Sequence, residues 1–224
     1  MQIKVEEPSK AQALSIIFRN LKLFTCTVNL RFTDNGLHVQ TLDNAQCCML
    51  DTKISSNWFD TYDYSQGELS EVGVSTEVLQ KVIDIRTQNQ SIEISIDDDQ
   101  DHMHIYLSGE EGICDKSFKL PLIDLHAELM EPTVGDSDVD LIMSTRAFIT
   151  LMKQLQQFSD TVATHFTDET ISFESTSTIG TMVAKVDLEK DVSEYAICEN
   201  VEIKQQFGLK YIEYLYSFGG LAKD

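Results

Sequence analysis

Two histidines two residues apart, His102 and His104, follow the acidic run Asp97-Asp98-Asp99-Gln100-Asp101, and imidazole with carboxylate is the donor set of a zinc or manganese hydrolase. Alternation would place both rings on one strand face. A catalytic metal needs further ligands, and none stands at a helpful spacing; acidic turns between strands are ordinarily just solvated. Cysteine supplies no other site. The five residues Cys26, Cys47, Cys48, Cys114 and Cys198 are odd in number and contain no C-x-x-C pair. They fall mostly in apolar-alternating segments and read as small buried hydrophobes in a reducing compartment. No G-x-S-x-G, P-loop or G-x-G-x-x-G motif occurs. The residues therefore predict no metal, no cofactor and no catalytic centre.

The chemistry that remains is charge. Against 37 Asp and Glu stand 17 Lys and Arg, a net charge of −20, with a pI near 4.4. Such a chain does not grip nucleic acid by bulk attraction, which shows as a basic excess. Placement of the cations is more informative than their number. Four stretches have helical periodicity: Ser9 to Lys22, with Leu14, Ile17, Phe18 and Leu21 on one stripe; Ser75 to Arg86, with Val78, Leu79, Val82 and Ile83; Thr145 to Phe158, with Phe148, Leu151, Met152 and Leu155; and Leu209 to Phe218, with Tyr211, Ile212, Leu215 and Phe218. Ser9 and Ser75 are the expected N-caps. The polar faces carry Arg19 and Lys22, Lys81 and Arg86, Arg146 and Lys153, and Lys210. Any amphipathic helix wets its Lys and Arg, so repetition on all four is what gives the pattern weight.

Between the helices the period is two, as in Thr25 to Phe32, Leu37 to Leu42, Ser91 to Ile96 and His102 to Leu107, with turn chemistry at Asp34-Asn35-Gly36 and Asp97 to Asp101. This predicts an α+β fold rich in antiparallel sheet. The helix starts stand 66 and 64 residues apart within successive pairs, so the chain reads as a duplication with a period of about 135 residues. The expected organisation is an N-terminal domain over 1–118, an interdomain connector over 119–136 and a C-terminal domain over 137–224. The connector is apolar for a linker. About three strands' worth of chain follows the second helix, and almost none follows the fourth, so the second sheet is expected to lack final strands. Hydrophobic residues make up 42% of the chain, enough for packed cores. Charges occupy the N-terminus where a signal sequence needs an apolar run, and no apolar run of about 18 residues occurs, so a soluble intracellular protein is expected.

The run Gly36-Leu-His-Val-Gln-Thr-Leu-Asp43 followed by Asn-Ala-Gln, then Phe59-Asp-Thr-Tyr62, the connector Lys119 to Pro132, the helix entry Met143 to Leu155 and Leu209-Lys-Tyr-Ile closely resemble, in order, proliferating cell nuclear antigen, the sliding clamp family of DNA replication. The resemblance spans essentially the whole chain and admits a divergent viral or protist member. It implies a homotrimeric ring of six similar clamp domains, sheets outside and helices inside, encircling double-stranded DNA without catalysis. Lys22, Lys81, Lys153, Lys210, Arg19, Arg146 and Arg86 would face the DNA, the four lysines falling where the family places basic pore residues. Partners would be a DNA polymerase, a clamp loader and repair proteins, whose short motifs enter a pocket formed by Leu42, Gln46, Cys47 and Met49 with Leu125, Leu129, Met130 and Pro132. Gln46 stands where eukaryotic members commonly have histidine. Ring closure would pair edge strands at Gly112 to Lys119 and about Thr178 to Val186, with Ile113, Lys116, Phe118, Met182, Val183 and Lys185 at the trimer interface. His38 and Asp124 read as solvated outer residues. The resemblance implies a nuclear location, or a replication site if the chain is viral, and no membrane partner. Rival readings are a heterotrimeric or monomeric clamp-like processivity or checkpoint subunit, and an acidic module that mimics DNA.

Overall fold

The computed structural model describes residues 1–64, 71–96, 101–109, 111–132 and 135–222, and the chain divides into two units, Met1–Met130 and Glu131–Asp224. In the first unit β1 (Gln2–Val5) leads into α1 (Pro8–Asn20) and a 3-10 turn (Leu21–Leu23). The strands β2 (Thr27–Thr33), β3 (Gly36–Leu42), β4 (Met49–Ser55), β5 (Thr61–Asp63) and β6 (Glu71–Ser75) follow. Then come α2 (Thr76–Asp84), β7 (Ser91–Ile96), β8 (His102–Ser108) and β9 (Lys116–Pro121). The strands form two antiparallel sheets, ordered β4-β3-β2-β6 and β5-β1-β7-β8-β9.

Alternation and helical stripes meet in one core. Leu14 and Phe18 from α1, Leu21 from the 3-10 turn, and Leu79 and Ile83 from α2 are fully buried against Leu30 and Phe32 of β2, Leu37 and Val39 of β3, and Ile92, Ile94, Met103 and Ile105 of β7 and β8. Burial of each such side chain contributes about 1.5–3 kcal/mol. Ser75 caps α2 as expected, its hydroxyl accepting from the Val78 N–H. Ser9 does not cap α1: Pro8 is the first helical residue and Glu7 the cap, because proline's fixed φ suits the first turn and its missing N–H is no loss there. At the β2–β3 turn Gly36 has φ +135°, and a Cβ there would lie 2.0 Å from the Ile54 carbonyl oxygen, so only glycine lets β4 pass so close.

The Phe59-Asp60-Thr61-Tyr62 run works as a tie between the two sheets and α1. Phe59 is buried in the core. The Asp60 carboxylate accepts from the Glu6 N–H at 2.6 Å and lies 3.5 Å from Lys10 Nζ. The Glu6 N–H is the leading reason its carboxyl is held below the usual range, so it anchors the entry of α1 from a distance. The Tyr62 hydroxyl donates to the Thr33 carbonyl at 2.7 Å and accepts from the Thr33 N–H at 3.2 Å.

The second unit repeats this order. β10 (Val139–Met143) precedes α3 (Thr145–Leu155), then β11 (Thr161–Phe166), β12 (Ile171–Ser177), β13 (Gly180–Val186), β14 (Val192–Ile197), β15 (Ile203–Gly208) and α4 (Leu209–Tyr216). Its four-stranded sheet, β13-β12-β11-β15, has the same connectivity as β4-β3-β2-β6. The other sheet holds only β10 and β14 among the described residues, where the first unit has five strands. Its deep core is correspondingly small: Met152, Leu155, Val162, Ile171, Phe173 and Leu209. Ile142 and Leu215 are left 52% and 66% exposed.

Two expectations fail on burial. Cys26, Cys47, Cys114 and Cys198 are exposed and Cys48 is half-buried, because they stand at strand ends, turns and loops rather than on the inward positions of the alternation. His38 is not a freely solvated residue: its Nε2 lies 2.5 Å from Asp51 Oδ1 across β3 and β4.

Burial is the main reason Tyr62's hydroxyl is pushed up to about 12. The folded state thus favours the protonated phenol. The stability it supplies is complete below the unfolded value near pH 10 and disappears as pH rises through about 12. Ultraviolet titration should show one tyrosine ionising near pH 12 and missing from Tyr62→Phe. An unchanged titration in that variant would refute the assignment.

Candidate functional site

The sequence-derived cations fall into two kinds. Lys22, Lys81, Arg146, Lys153 and Lys210 are exposed, whereas Arg86 is a structural clip. Its Nε donates to the Gln90 carbonyl at 2.7 Å and another nitrogen to the Gln88 carbonyl at 2.8 Å, which fixes the turn after α2. Arg19 of α1 pairs with Asp84 of α2 at 2.6 Å, and Lys81 with Glu77 at 2.7 Å. In the second unit the lysines lie over aromatic rings: Lys153 Nζ is 5.7 Å from the Tyr216 centroid, and Lys210 Nζ is 5.5 and 5.3 Å from Tyr211 and Tyr214. A ring face orients an ammonium without cancelling its charge.

The connector is held by side chains more than by backbone. The Ile123 N–H donates to the Gly73 carbonyl at 2.8 Å, making one bridge beyond β6. From there, buried polar residues on the outer faces of β2 and β3 take over. Asn29 Nδ2 donates to the Leu125 carbonyl at 3.1 Å, an Arg31 guanidinium nitrogen donates to the Ala127 carbonyl at 2.5 Å, and Gln40 exchanges two hydrogen bonds with the Met130 backbone at 2.9 and 2.8 Å. Glu71 grips Arg31 through both oxygens at 3.0 Å and also accepts from Asn29. Gly73 permits the approach, since a Cβ there would meet the Ile123 oxygen at 2.2 Å. Beneath the segment lies a cavity of about 290 Å³ lined by Asn29, Glu71, Gly73, Asp101 and Ile123–Leu125.

Fixing the chain this way presents part of the expected pocket on one unit. Leu129 and Met130 stay 50% and 40% exposed, and Met130 is tied to Gln40, two residues along β3 from half-buried Leu42. Beyond Leu42, the buried Asp43 carboxylate accepts from the N–H groups of Ala45, Cys47 and Cys48. This knot holds Gln46 at φ +57° and exposes Gln46 and Cys47 ahead of half-buried Met49. Leu125 is half-buried over Gly73. Pro132 belongs to the other unit.

Comparison with known proteins identifies the fold. The family model for the N-terminal domain of proliferating cell nuclear antigen matches residues 6–129, and that for its C-terminal domain matches residues 134–223. The chain belongs to the proliferating cell nuclear antigen family. Among curated proteins, proliferating cell nuclear antigen 1 of Plasmodium falciparum is 24% identical over 96% of this chain and 80% of its own length. A probable DNA polymerase sliding clamp 2 of Paramecium bursaria Chlorella virus 1 is 25% identical over 94% and 73%. A crystal structure of the PCNA2–PCNA3 complex from Sulfolobus tokodaii superposes with TM-score 0.81 at 22% identity, covering 97% of this chain and 85% of that one. The fold is thus the duplicated clamp fold, and the family's members are non-enzymatic.

Among the described residues, β9 and β13 are edge strands of their sheets. The expected strand bounds need correction: Ile113 precedes β9, which begins at Lys116, since Gly112 at φ +79° places the chain in a turn there. Phe118 and Met182 pack on their own cores. Val183 is 52% exposed, Lys185 is exposed, and Lys116 donates to Gln90 at 2.9 Å. His102 and His104 share the face of β8 opposite Met103 and Ile105; residues 97–100 of the acidic run lie outside the described residues. No cluster of three potential ligands forms among the described residues.

Asn29, Arg31, Gln40 and Glu71 had no individual signal in the sequence, because polar residues alternating with apolar ones read as a wet sheet face. Gln40→Leu should strip Met130 of both partners, costing about 1–3 kcal/mol locally. Hydrogen exchange at Ala127–Met130 should accelerate while the β7–β8 amides stay protected. Unchanged exchange would show that Gln40 does not hold the connector.

Proposed function

We propose that the chain is a DNA polymerase processivity factor: a sliding clamp that closes as a homotrimer around duplex DNA, works in the nucleus or at a viral replication site, and tethers polymerase, clamp loader and repair proteins by short motifs docked beside the connector. The observation that carries this is the recurrence of one helix-and-sheet unit, in a chain of net charge −20, with exposed cations on the helices of both units. A grip on many phosphates would be tight and steeply salt-dependent. An acidic body with a minority of cations holds DNA only by enclosing it, and so slides. The names of the relatives, proliferating cell nuclear antigen and DNA polymerase sliding clamp, support the same reading. Edge strands β9 and β13, left to pair between subunits, would supply closure through Lys116, Val183 and Lys185. Leu42, Gln46, Cys47, Met49, Leu125, Leu129 and Met130 would line the partner groove.

A second reading, a hetero-oligomeric ring, is favoured by the solved neighbour, a complex of PCNA2 with PCNA3. Native mass measurement decides between them: a trimer of the purified chain supports self-closure, and a monomer at micromolar concentration overturns it. On primed circular DNA with a clamp loader, the protein should raise polymerase processivity, and an acidic DNA mimic would inhibit instead. Replacing Lys22, Lys81, Lys153 and Lys210 by Ala together should lower DNA affinity by at least about tenfold with an unchanged melting temperature. Full stimulation by that variant would remove those lysines from the function.

A further inference from the structure

We propose that Glu77 and Asp84 set the affinity of the DNA-facing surface, each occupying a neighbouring cation so that the first unit's helices touch phosphates loosely. This rests on the assignment of those helices to duplex DNA. Glu77, Lys81 and Asp84 stand at i, i+4 and i+7 and share one stripe of α2. Lys81 Nζ lies 2.7 Å from Glu77 Oε1, and Arg19 Nε reaches across from α1 to Asp84 Oδ1 at 2.6 Å. Lys22 adds to the set: after the hydrogen bond and charge of Lys81, its charge also holds the Glu77 carboxyl below its usual range. The surface is therefore a mixed-sign band, with three cations interleaved by two carboxylates.

Helix stability does not explain both acids. Glu77 in the first turn of α2 suits the helix dipole, but Asp84 in the last turn opposes it, and exposed ion pairs add little to folding. Nor does the clamp fold require them. The stripe at the same spacing on α3 reads Arg146, Thr150 and Lys153, and α3 contains no Asp or Glu. A phosphate approaching Lys81 or Arg19 must compete with a carboxylate already in place, which reduces both the gain and the counterion release of the contact.

The test is the full-length protein carrying Glu77→Gln and Asp84→Asn, titrated against a short fluorescent duplex at several salt concentrations, beside Lys22→Ala with Lys81→Ala. The acid-free variant should bind several-fold more tightly at low salt. Its slope of log affinity against log salt should steepen by about two, roughly one per freed cation, with an unchanged melting temperature. Glu77→Gln alone should show about half that steepening. If the acid-free variant matches the parent while the lysine variant binds more weakly, the affinity-setting role is overturned and the DNA surface stands. If neither differs from the parent, both are overturned.

Discussion

Each unit depends on amphipathic helices laid across antiparallel sheets, and the geometry of that contact dictates much of the rest. Leu14, Phe18, Leu79 and Ile83 must face inward to fill the core of the first unit, and Met152, Leu155 and Leu209 that of the second. The charged residues on those helices are then left to the other side, while the polar residues that are buried, Ser15 and Thr76, bond backbone carbonyls. The cations need no binding loop to display them. Their exposure follows from the burial of their apolar neighbours, which lets a fold without a catalytic centre present a charged surface on rigid elements.

The same constraint works on the outward face of the sheets, with a different result. Asn29, Arg31 and Gln40 alternate with buried Val28, Leu30 and Val39 and would ordinarily be wet. Here they are themselves buried, because the connector lies across them and offers its carbonyls as acceptors. A segment without a regular ladder satisfies its backbone through side chains, which leaves Leu129 and Met130 unburied. The apolar character of the connector and its fixed position are thus one arrangement: its polar backbone faces the sheet and part of its apolar side-chain surface faces outward.

How much of this could be read in the sequence follows from the range of each interaction. Helical and strand periodicities are local, and β7 and β8 begin where the alternation placed them, with α2 capped by Ser75. The duplication is legible because the helices of the two halves start at nearly equal spacings. Ser9 misled because two neighbouring residues both suited a helix start and proline's geometry decided between them. Ile113 misled because an apolar residue near a strand does not reveal that Gly112 turns the chain first. Arg86 clips carbonyls only two and four residues on, a turn that helical periodicity does not reveal, whereas the buried polar cluster under the connector joins residues up to 96 positions apart. Nothing local distinguishes such residues from solvated ones.

Net charge is the property most easily misread from composition alone. A value of −20 argues against gripping DNA, yet that quantity is a sum over surfaces that do different work. On the helices the cations are paired in distinct ways, with carboxylates at Lys81 and Arg19 and with tyrosine rings at Lys153 and Lys210. A carboxylate partner subtracts charge that an approaching phosphate would feel, and a ring partner does not. Two units with the same fold can therefore offer a polyanion different strengths of contact while their backbones stay alike. For a body that must remain on DNA without stopping on it, tuning by side-chain partners is available where tuning by fold is not, since the helix packing that displays the cations also holds each unit together.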